Sequence, residues 1–300
     1  DHEFIRLHTE GIEAVLEQLR RVTWPELLAV SGLTREQIQE AAEIAIDAKS
    51  TIVCWCMGLT QHKNAVATIQ EILNFLFLRG NIGRPGAGPC PIRGHSNVQG
   101  DRTMGIWDKP SQNFLDRLAR EFGFEPPRRH GLDTVDAIKA MHAGRIGVFF
   151  AMGGNFLSAP SDTEFTAAAL QRCRLTAHVS IKLNRAHLVT GQTALILPCL
   201  GRTEIDRQGG QEQFQTVEDT MGVINPTRGV IEPASPHLLS ETAIVAGLAK
   251  ATLGPTTPID WDAYVANYDL IRAKIEAVVP GFHAFNERIR QGTFYPPNPP

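Results

Sequence analysis

Thr51-Ile52-Val53-Cys54-Trp55-Cys56 is an unbroken apolar run that Met57-Gly58 brings to a close. Its length suits a strand rather than a helix. The absence of polar alternation predicts a strand buried on both faces, the kind found in parallel sheets. A helix is expected next, from about His62 to Leu78, with Val66, Ile69, Ile72, Leu73 and Leu76 turned inward. Upstream, Ile5, Ile12, Val15, Leu16 and Leu19 recur at helical spacing. Thr23 with Glu26, and Thr34 with Gln37, have capping-box spacing, and Pro25 sits in a first turn where its missing N–H is harmless. Helix, strand, turn, helix is the rhythm of an α/β fold.

The rhythm stops at Gly80. From there to Gly105 the chain carries glycines at 80, 83, 86, 88, 94, 100 and 105 and prolines at 85, 89 and 91, a density that predicts a long loop without regular structure. It resumes near Asp133 with a helix, then Arg145 to Ala151 as another buried strand closed by Met152-Gly153-Gly154-Asn155. Asp162 is placed to cap a helix over 163–172. Strands are expected over 175–180 and 193–197, a polar stretch over 201–222, and helices over 240–253 and 261–279. The expected architecture is therefore α/β. Two Rossmann-like three-layer regions with mainly parallel sheets, about 1–95 and 96–300, are joined by the Gly/Pro-rich loop.

The chain has 300 residues, 43% hydrophobic and 20% charged, enough for one large or two ordinary cores. A net charge of −3 argues against a protein devoted to nucleic acid. No apolar run has the length of a membrane span. Five cysteines are too few for a disulfide framework, which points to a reducing, cytoplasmic location. The start, Asp1-His2-Glu3, has no initiator Met or signal-peptide pattern, and the end is Pro296-Pro297-Asn298-Pro299-Pro300. A piece of a longer polypeptide is expected.

Three features could carry chemistry. Over 79–109 five basic residues (Arg79, Arg84, Arg93, Arg102, Lys109) stand against Asp101 and Asp108 among many glycines. Backbone N–H groups and guanidinium forks together suit an anionic ligand, although a solvated connector has the same composition. The Met152–Asn155 turn falls at the carboxyl end of a strand, where open α/β sheets bind ligands, and further polar turns follow at 180–184 and 201–204. Together they predict one nucleotide-binding edge. Cys54 and Cys56 could face one side of a strand, but no second pair or His cluster has zinc spacing, so no metal ligand is assigned and they read as small buried hydrophobes. His62, His95, His178 and His187 are isolated in sequence, and no strand is followed by GxGxxG.

Gly80-Asn81-Ile82-Gly83-Arg84-Pro85-Gly86-Ala87-Gly88, running into Pro91-Ile92-Arg93-Gly94-His95-Ser96-Asn97-Val98-Gln99-Gly100, resembles the molybdopterin oxidoreductases of the dimethyl-sulfoxide-reductase superfamily. It is most similar to formate-dehydrogenase-like alpha subunits. The flanks at 57–61, 152–155 and 196–198 agree, and the resemblance covers roughly 23–254. It implies a molybdenum or tungsten ion held by two pyranopterin guanine dinucleotides gripped between the two regions. Arg93 matches the arginine that orients a substrate carboxylate beside the metal. His95 falls where close relatives have a cofactor-contacting Gln, and both are assigned to catalysis. Met57, Gln61 and Gly94 match cofactor contacts. Gly153, Gly154 and Asn155 match a guanine-dinucleotide turn, and the turn from Ser180 to Asn184 matches another. Ser180 stands where many members have an Asp for the guanine amino group.

The resemblance also implies a 4Fe-4S cluster and a metal-ligating residue upstream of Asp1, and an electron-transfer subunit as partner. The implied function is the central part of a large subunit that oxidises a small oxo-acid, formate being nearest, in a piece inactive by itself. Two alternatives stand beside it. One is a scaffold relative that binds no molybdenum, although such a relative should lose the arginine-glycine loop. The other is a plain dinucleotide module, against which the missing fingerprint argues.

Overall fold

Both capping boxes form. The Glu26 carboxylate accepts from the Thr23 N–H (3.1 Å) and hydroxyl (2.8 Å). Gln37 Oε1 accepts from the Thr34 N–H (2.9 Å), and Thr34 Oγ1 accepts from the Gln37 N–H (3.3 Å). They open α3 (Trp24–Ser31) and α4 (Arg35–Asp47), after α1 (His2–His8) and α2 (Ile12–Arg21). The computed structural model describes residues 1–92 and 95–296, and it divides into two units, Asp1–His95 and Ser96–Pro300. Arg93 and Gly94, both expected in the site, lie outside the described residues.

In the first unit β1 (Ile52–Trp55) is followed by α5 (Met57–Thr60) and α6 (Ala65–Leu78), so the expected long helix starts later than His62. The Gly/Pro-rich segment is not wholly irregular. β2 (Gly88–Pro91) pairs parallel with β1, in the register Ile52↔Gly88 to Trp55↔Pro91. Gly88 and Ile92 donate to Thr51 O (3.0 Å) and Trp55 O (2.7 Å). Pro89 and Pro91 occupy the alternate positions, where an N–H would point away from β1. An edge strand tolerates proline there, which the glycine and proline count concealed. β1 is not buried on both faces: Ile52 and Cys54 are exposed, whereas Val53 and Trp55 are half-buried. Cys54 and Cys56 are both exposed rather than buried, and Cys56 lies beyond the strand as the cap of α5. Buried Asn81 ties the end of α6 to β1. Its N–H reaches Leu76 O (2.8 Å) and its Oδ1 accepts the Thr51 N–H (3.3 Å).

The second unit begins with α7 (Val98–Thr103), also inside the expected loop, then α8 (Gln112–Phe122) and α9 (Thr134–His142). β3 (Val148–Met152), α10 (Thr163–Gln171), β4 (Leu175–Ser180) and β5 (Thr193–Pro198) form a parallel sheet of order β3-β4-β5 with helical crossovers, a Rossmann-like arrangement. Asp162 caps α10 through the Phe165 N–H (3.0 Å). Only the central β4 is buried on both faces, over Thr176 to Val179. β3 alternates, with Val148, Phe150 and Met152 exposed, and the edge strand β5 is largely exposed. Phe149 joins Ile138, Met141, Leu157, Leu170 and Cys173 in a core under α9 and α10.

Two short hairpins follow, β6 (Arg207–Gln208) with β7 (Gln211–Glu212) and β8 (Gln215–Glu218) with β9 (Ile224–Thr227); all but β9 fall in the stretch 201–222 read as polar. Then come α11 (Glu241–Leu253), α12 (Trp261–Ala266), α13 (Tyr268–Val278) and α14 (Phe285–Gln291). The single helix expected over 261–279 breaks at Asn267. Gln213 pays for the break: its Nε2 donates to Ala266 O (2.9 Å) and its Oε1 accepts the Tyr268 N–H (3.1 Å). A second core joins Ile224, Val278, Phe282, Phe285 and Ile289. No helix among the described residues is long and apolar enough to cross a membrane.

Two positions test this packing. Arg272 is buried, pairs with Asp269, donates to Phe214 O (3.0 Å) and Asn286 Oδ1 (2.7 Å), and lies 3.9 Å over the Phe214 ring. Burial pushes the Asp269 carboxyl up, but its bonds to Arg272 and Arg290 outweigh that and hold it below its ordinary 3.8. A depressed carboxyl stabilises the fold above its unfolded value and loses that contribution as pH falls through the folded value. Asp269→Asn, which strands the buried guanidinium, should cost about 3 kcal/mol in urea unfolding near neutral pH. It should also flatten the pH dependence of stability below 3.8. Gly191 is the second position: a Cβ there would lie 2.3 Å from Cys173 O. Gly191→Ala should lower stability by roughly 1–3 kcal/mol, read as a fall in the urea midpoint.

Candidate functional site

Parallel pairing brings the exits of β3, β4 and β5 to one edge. Gly153 and Gly154 follow β3 with φ of 71° and 72°, the left-handed region that side chains avoid. A Cβ on either would meet nothing within 4 Å, so the turn is open above its backbone. The Gly153 N–H bonds Val179 O (2.8 Å), fixing the turn against β4. Asn184 Nδ2 donates to Gly154 O (2.9 Å) and joins the second turn to the first. Asn184 is itself held, because its Oδ1 accepts the Ala186 N–H (2.9 Å) and its own N–H bonds His187 Nδ1 (2.8 Å). The Ser180 hydroxyl donates to Lys182 O (2.8 Å) within the turn.

Gly153, Gly154, Ser180, Lys182, Asn184 and Cys199 line a cavity of about 370 Å³ with Glu241. Asn155 enters a short 3₁₀ turn (Phe156–Ser158), and its Oδ1 is buried without a partner. Buried acceptors are normally satisfied, so this atom lacks a donor that the described residues do not supply. A second cavity of about 700 Å³ shares Ile181 and Glu241 with the first and extends past Asn97, Asp101, Arg202, Asp206 and Arg228. Arg202 donates to Ser96 Oγ, within the Gly/Pro-rich segment. The third expected turn, 201–204, thus joins the same edge. Glu204 holds it by accepting the Gly201 and Ala234 N–H groups.

Charge in the site is mixed. Lys182, Arg202 and Arg228 are exposed cations, whereas Asp206 is buried and accepts the Tyr268 hydroxyl and Gln208 Nε2 (2.8 Å). Burial, then the bond to Asp206, pushes the Tyr268 phenol up to about 12, so it stays protonated. Its oxygen also meets Ser240 Oγ (2.9 Å), which caps α11 and so fixes Glu241 at the helix start. Burial, then Glu241 and Glu204, pushes the Cys199 thiol up to about 11, which keeps it neutral and unsuited to act as a thiolate. Burial, then the neighbouring His187, lowers His178. The two rings, isolated in sequence, meet edge to face at 5.0 Å under the Asn184 turn.

The second unit therefore brings Gly153, Gly154, Ser180 and Asn184 together around one cavity, with Asn155 beside them in the chain. In the first unit Met57 and Gln61 stand at the carboxyl end of β1, both exposed, and His95 is exposed. Among the described residues no three metal-ligating side chains cluster. Sequence reading missed Lys182, Cys199, Asp206 and Glu241. A polar residue directly after each strand, or at a helix cap facing those exits, is the signal that could have found them.

No protein-family model matches the chain. It is 50% identical over 301 residues to an "Uncharacterized oxidoreductase" of Mycobacterium tuberculosis, with 100% of this chain and 39% of the relative aligned. It is 46% identical over 290 residues to Escherichia coli YdeP, covering 97% of this chain and 38% of that protein. A Bacillus subtilis protein named "Putative formate dehydrogenase YrhE" is 35% identical over 161 residues, 51% of this chain and 16% of the relative. The chain spans about two fifths of the length of the first two relatives. Along its whole length it is similar to a protein named as an oxidoreductase, and along half of it to one named for formate.

Proposed function

We propose that this chain is the central part of the large subunit of a molybdenum or tungsten bis(pyranopterin guanine dinucleotide) oxidoreductase acting on a small oxo-acid, with formate the nearest candidate. The observation that carries the reading is the joined pair of turns, Gly153–Asn155 and Ser180–Asn184, opening on two adjoining cavities along the carboxyl edge of a parallel sheet. The likeness to proteins named as oxidoreductases supports it.

The residues present fit a nucleotide-bearing group. The open left-handed glycines admit a ligand against bare backbone, with Asn155 next to them in the chain. Gly153, Gly154, Asn155 and Asn184 would hold the base and sugar, and Lys182, Arg202 and Arg228 would pair with phosphates. Met57, Gln61 and Gly94 are proposed as further contacts. When bound, the group supplies two-electron redox chemistry at its metal, which side chains cannot supply. Electrons would leave through an upstream 4Fe-4S cluster to a partner subunit.

Arg93 is assigned to the substrate. Its guanidinium keeps its charge at any working pH and can hold a carboxylate by two parallel bonds, fixing which atom of the substrate faces the metal. His95, two residues on, is assigned beside it. The full-length protein should contain molybdenum or tungsten by elemental analysis after maturation. Arg93→Lys should lower kcat/KM for formate at least about tenfold, because one lost bidentate contact is worth roughly 1.5–3 kcal/mol. A matured protein free of both metals would contradict the reading, and unchanged kinetics in Arg93→Lys would remove Arg93 from the mechanism.

A further inference from the structure

Cys54 in β1 and Cys90 in β2 are partners in the parallel register. Neighbouring strands lie about 4.8 Å apart, and side chains directly opposite one another leave the sheet on the same face. That spacing falls inside the roughly 4.4–6.8 Å between Cα atoms that a disulfide spans. Both side chains are free thiols, Cys54 exposed and Cys90 half-buried. Burial, then the neighbouring Cys90, raises the Cys54 thiol above its ordinary 9.0. Two thiols that feel each other's charge resist ionising together. The other cysteines are placed differently. Cys56 lies beyond β1 as the cap of α5, along the chain from Cys54 rather than across the ladder. Cys173 and Cys199 are buried in the second unit.

We propose that Cys54 and Cys90 form a reversible disulfide, by exchange with a small disulfide such as oxidised glutathione, and that this bond fastens the edge strand β2 to β1. One cysteine thiolate attacks a sulfur of the small disulfide, which forms a mixed disulfide and releases one small thiolate. The other cysteine thiolate then attacks the protein sulfur of the mixed disulfide, and the second small thiolate leaves. The protein sulfurs lose two electrons in all and the small disulfide gains them. The two cysteine protons end on the two released thiols. Exposure of Cys54 gives the small disulfide access, and an exposed disulfide is of the labile kind that a reducing medium reopens. β2 has reason to need the bond, because Pro89 and Pro91 bring no N–H to the ladder. Cys90 stands three positions before Arg93 in the sequence, so the bond fastens the chain just ahead of the residue assigned to the substrate. The pairing itself does not depend on the proposed function.

The test equilibrates the full-length protein with mixtures of reduced and oxidised glutathione, alkylates the remaining free thiols and maps the peptides by mass. Cys54 and Cys90 should lose alkylation together, and a peptide pair joined through them should appear, then vanish with dithiothreitol. Cys54→Ser and Cys90→Ser should each stop at a glutathione adduct on the cysteine that remains. Circular dichroism checks that the variants are folded, and the comparison of oxidised with reduced wild type needs no variant. Amide hydrogen exchange reads the fastening: at Gly88, Cys90 and Ile92 it should slow at least about tenfold in the oxidised form, since the bond restricts local opening. Separate glutathione adducts on Cys54 and Cys90 without a joined peptide would overturn the pairing. So would a joined peptide that runs through Cys56 instead, or thiols that stay open to alkylation at every ratio. A joined peptide with unchanged exchange in β2 would overturn the fastening.

Discussion

The parallel pairing of β4 with both of its neighbours is the constraint on which the site depends. β4 pairs with β3 from Val148↔Leu175 to Met152↔Val179, and with β5 from Leu175↔Thr193 to Ser180↔Pro198. Parallel strands must exit at the same end, so the chain delivers three successive turns to one edge and returns each time over the outside of the sheet. Burial of β4 from Thr176 to Val179 holds the arrangement. A buried central strand has no unpaired edge and no exposed face to which it could slip.

From that edge the chemistry follows by a short chain of polar contacts. Asn184 bonds Gly154 O, so the turns after β3 and β4 are tied to one another. Tyr268 joins Asp206 to Ser240, and Ser240 sets the start of α11. Gln213 closes the helix break at Asn267 while lining the larger cavity. These groups are mostly satisfied within the protein, which makes them rigid supports. Glu241, which lines the cavities, is half-buried and makes no hydrogen bond among the described residues, and Asn155 Oδ1, next to Gly154 in the chain, is buried without a partner. A binding site is where such unmet demand is expected, because the ligand completes it.

Much of this was legible in the residues, for reasons that can be named. Capping boxes at Thr23 and Thr34 and the cap at Asp162 are local signals, and each forms as read. Strands read at 145–151, 175–180 and 193–197 form as β3 (Val148–Met152), β4 (Leu175–Ser180) and β5 (Thr193–Pro198), and the glycine pair at 153–154 marked the carboxyl end of the first. What the sequence concealed depends on partners distant in the chain. β2 was hidden because Pro89 and Pro91 look incompatible with a strand until the register shows that neither N–H is needed by β1. The break at Asn267 was hidden because it is stabilised by Gln213, 54 positions upstream. Burial of β1 and β3 was overstated because an apolar run reports what a strand can bury, not what covers it. Glu241 was overlooked because a helix-capping stretch looks the same whether or not it faces a cavity.

The most direct measurement is a structure of the full-length, cofactor-loaded protein at a resolution that shows the nucleotide. The central claim predicts a guanine dinucleotide seated along the carboxyl edge of β3, β4 and β5, in contact with the Gly153–Asn155 and Ser180–Asn184 turns. A structure in which those turns are covered by other protein, or face water while the cofactor lies elsewhere, would contradict it.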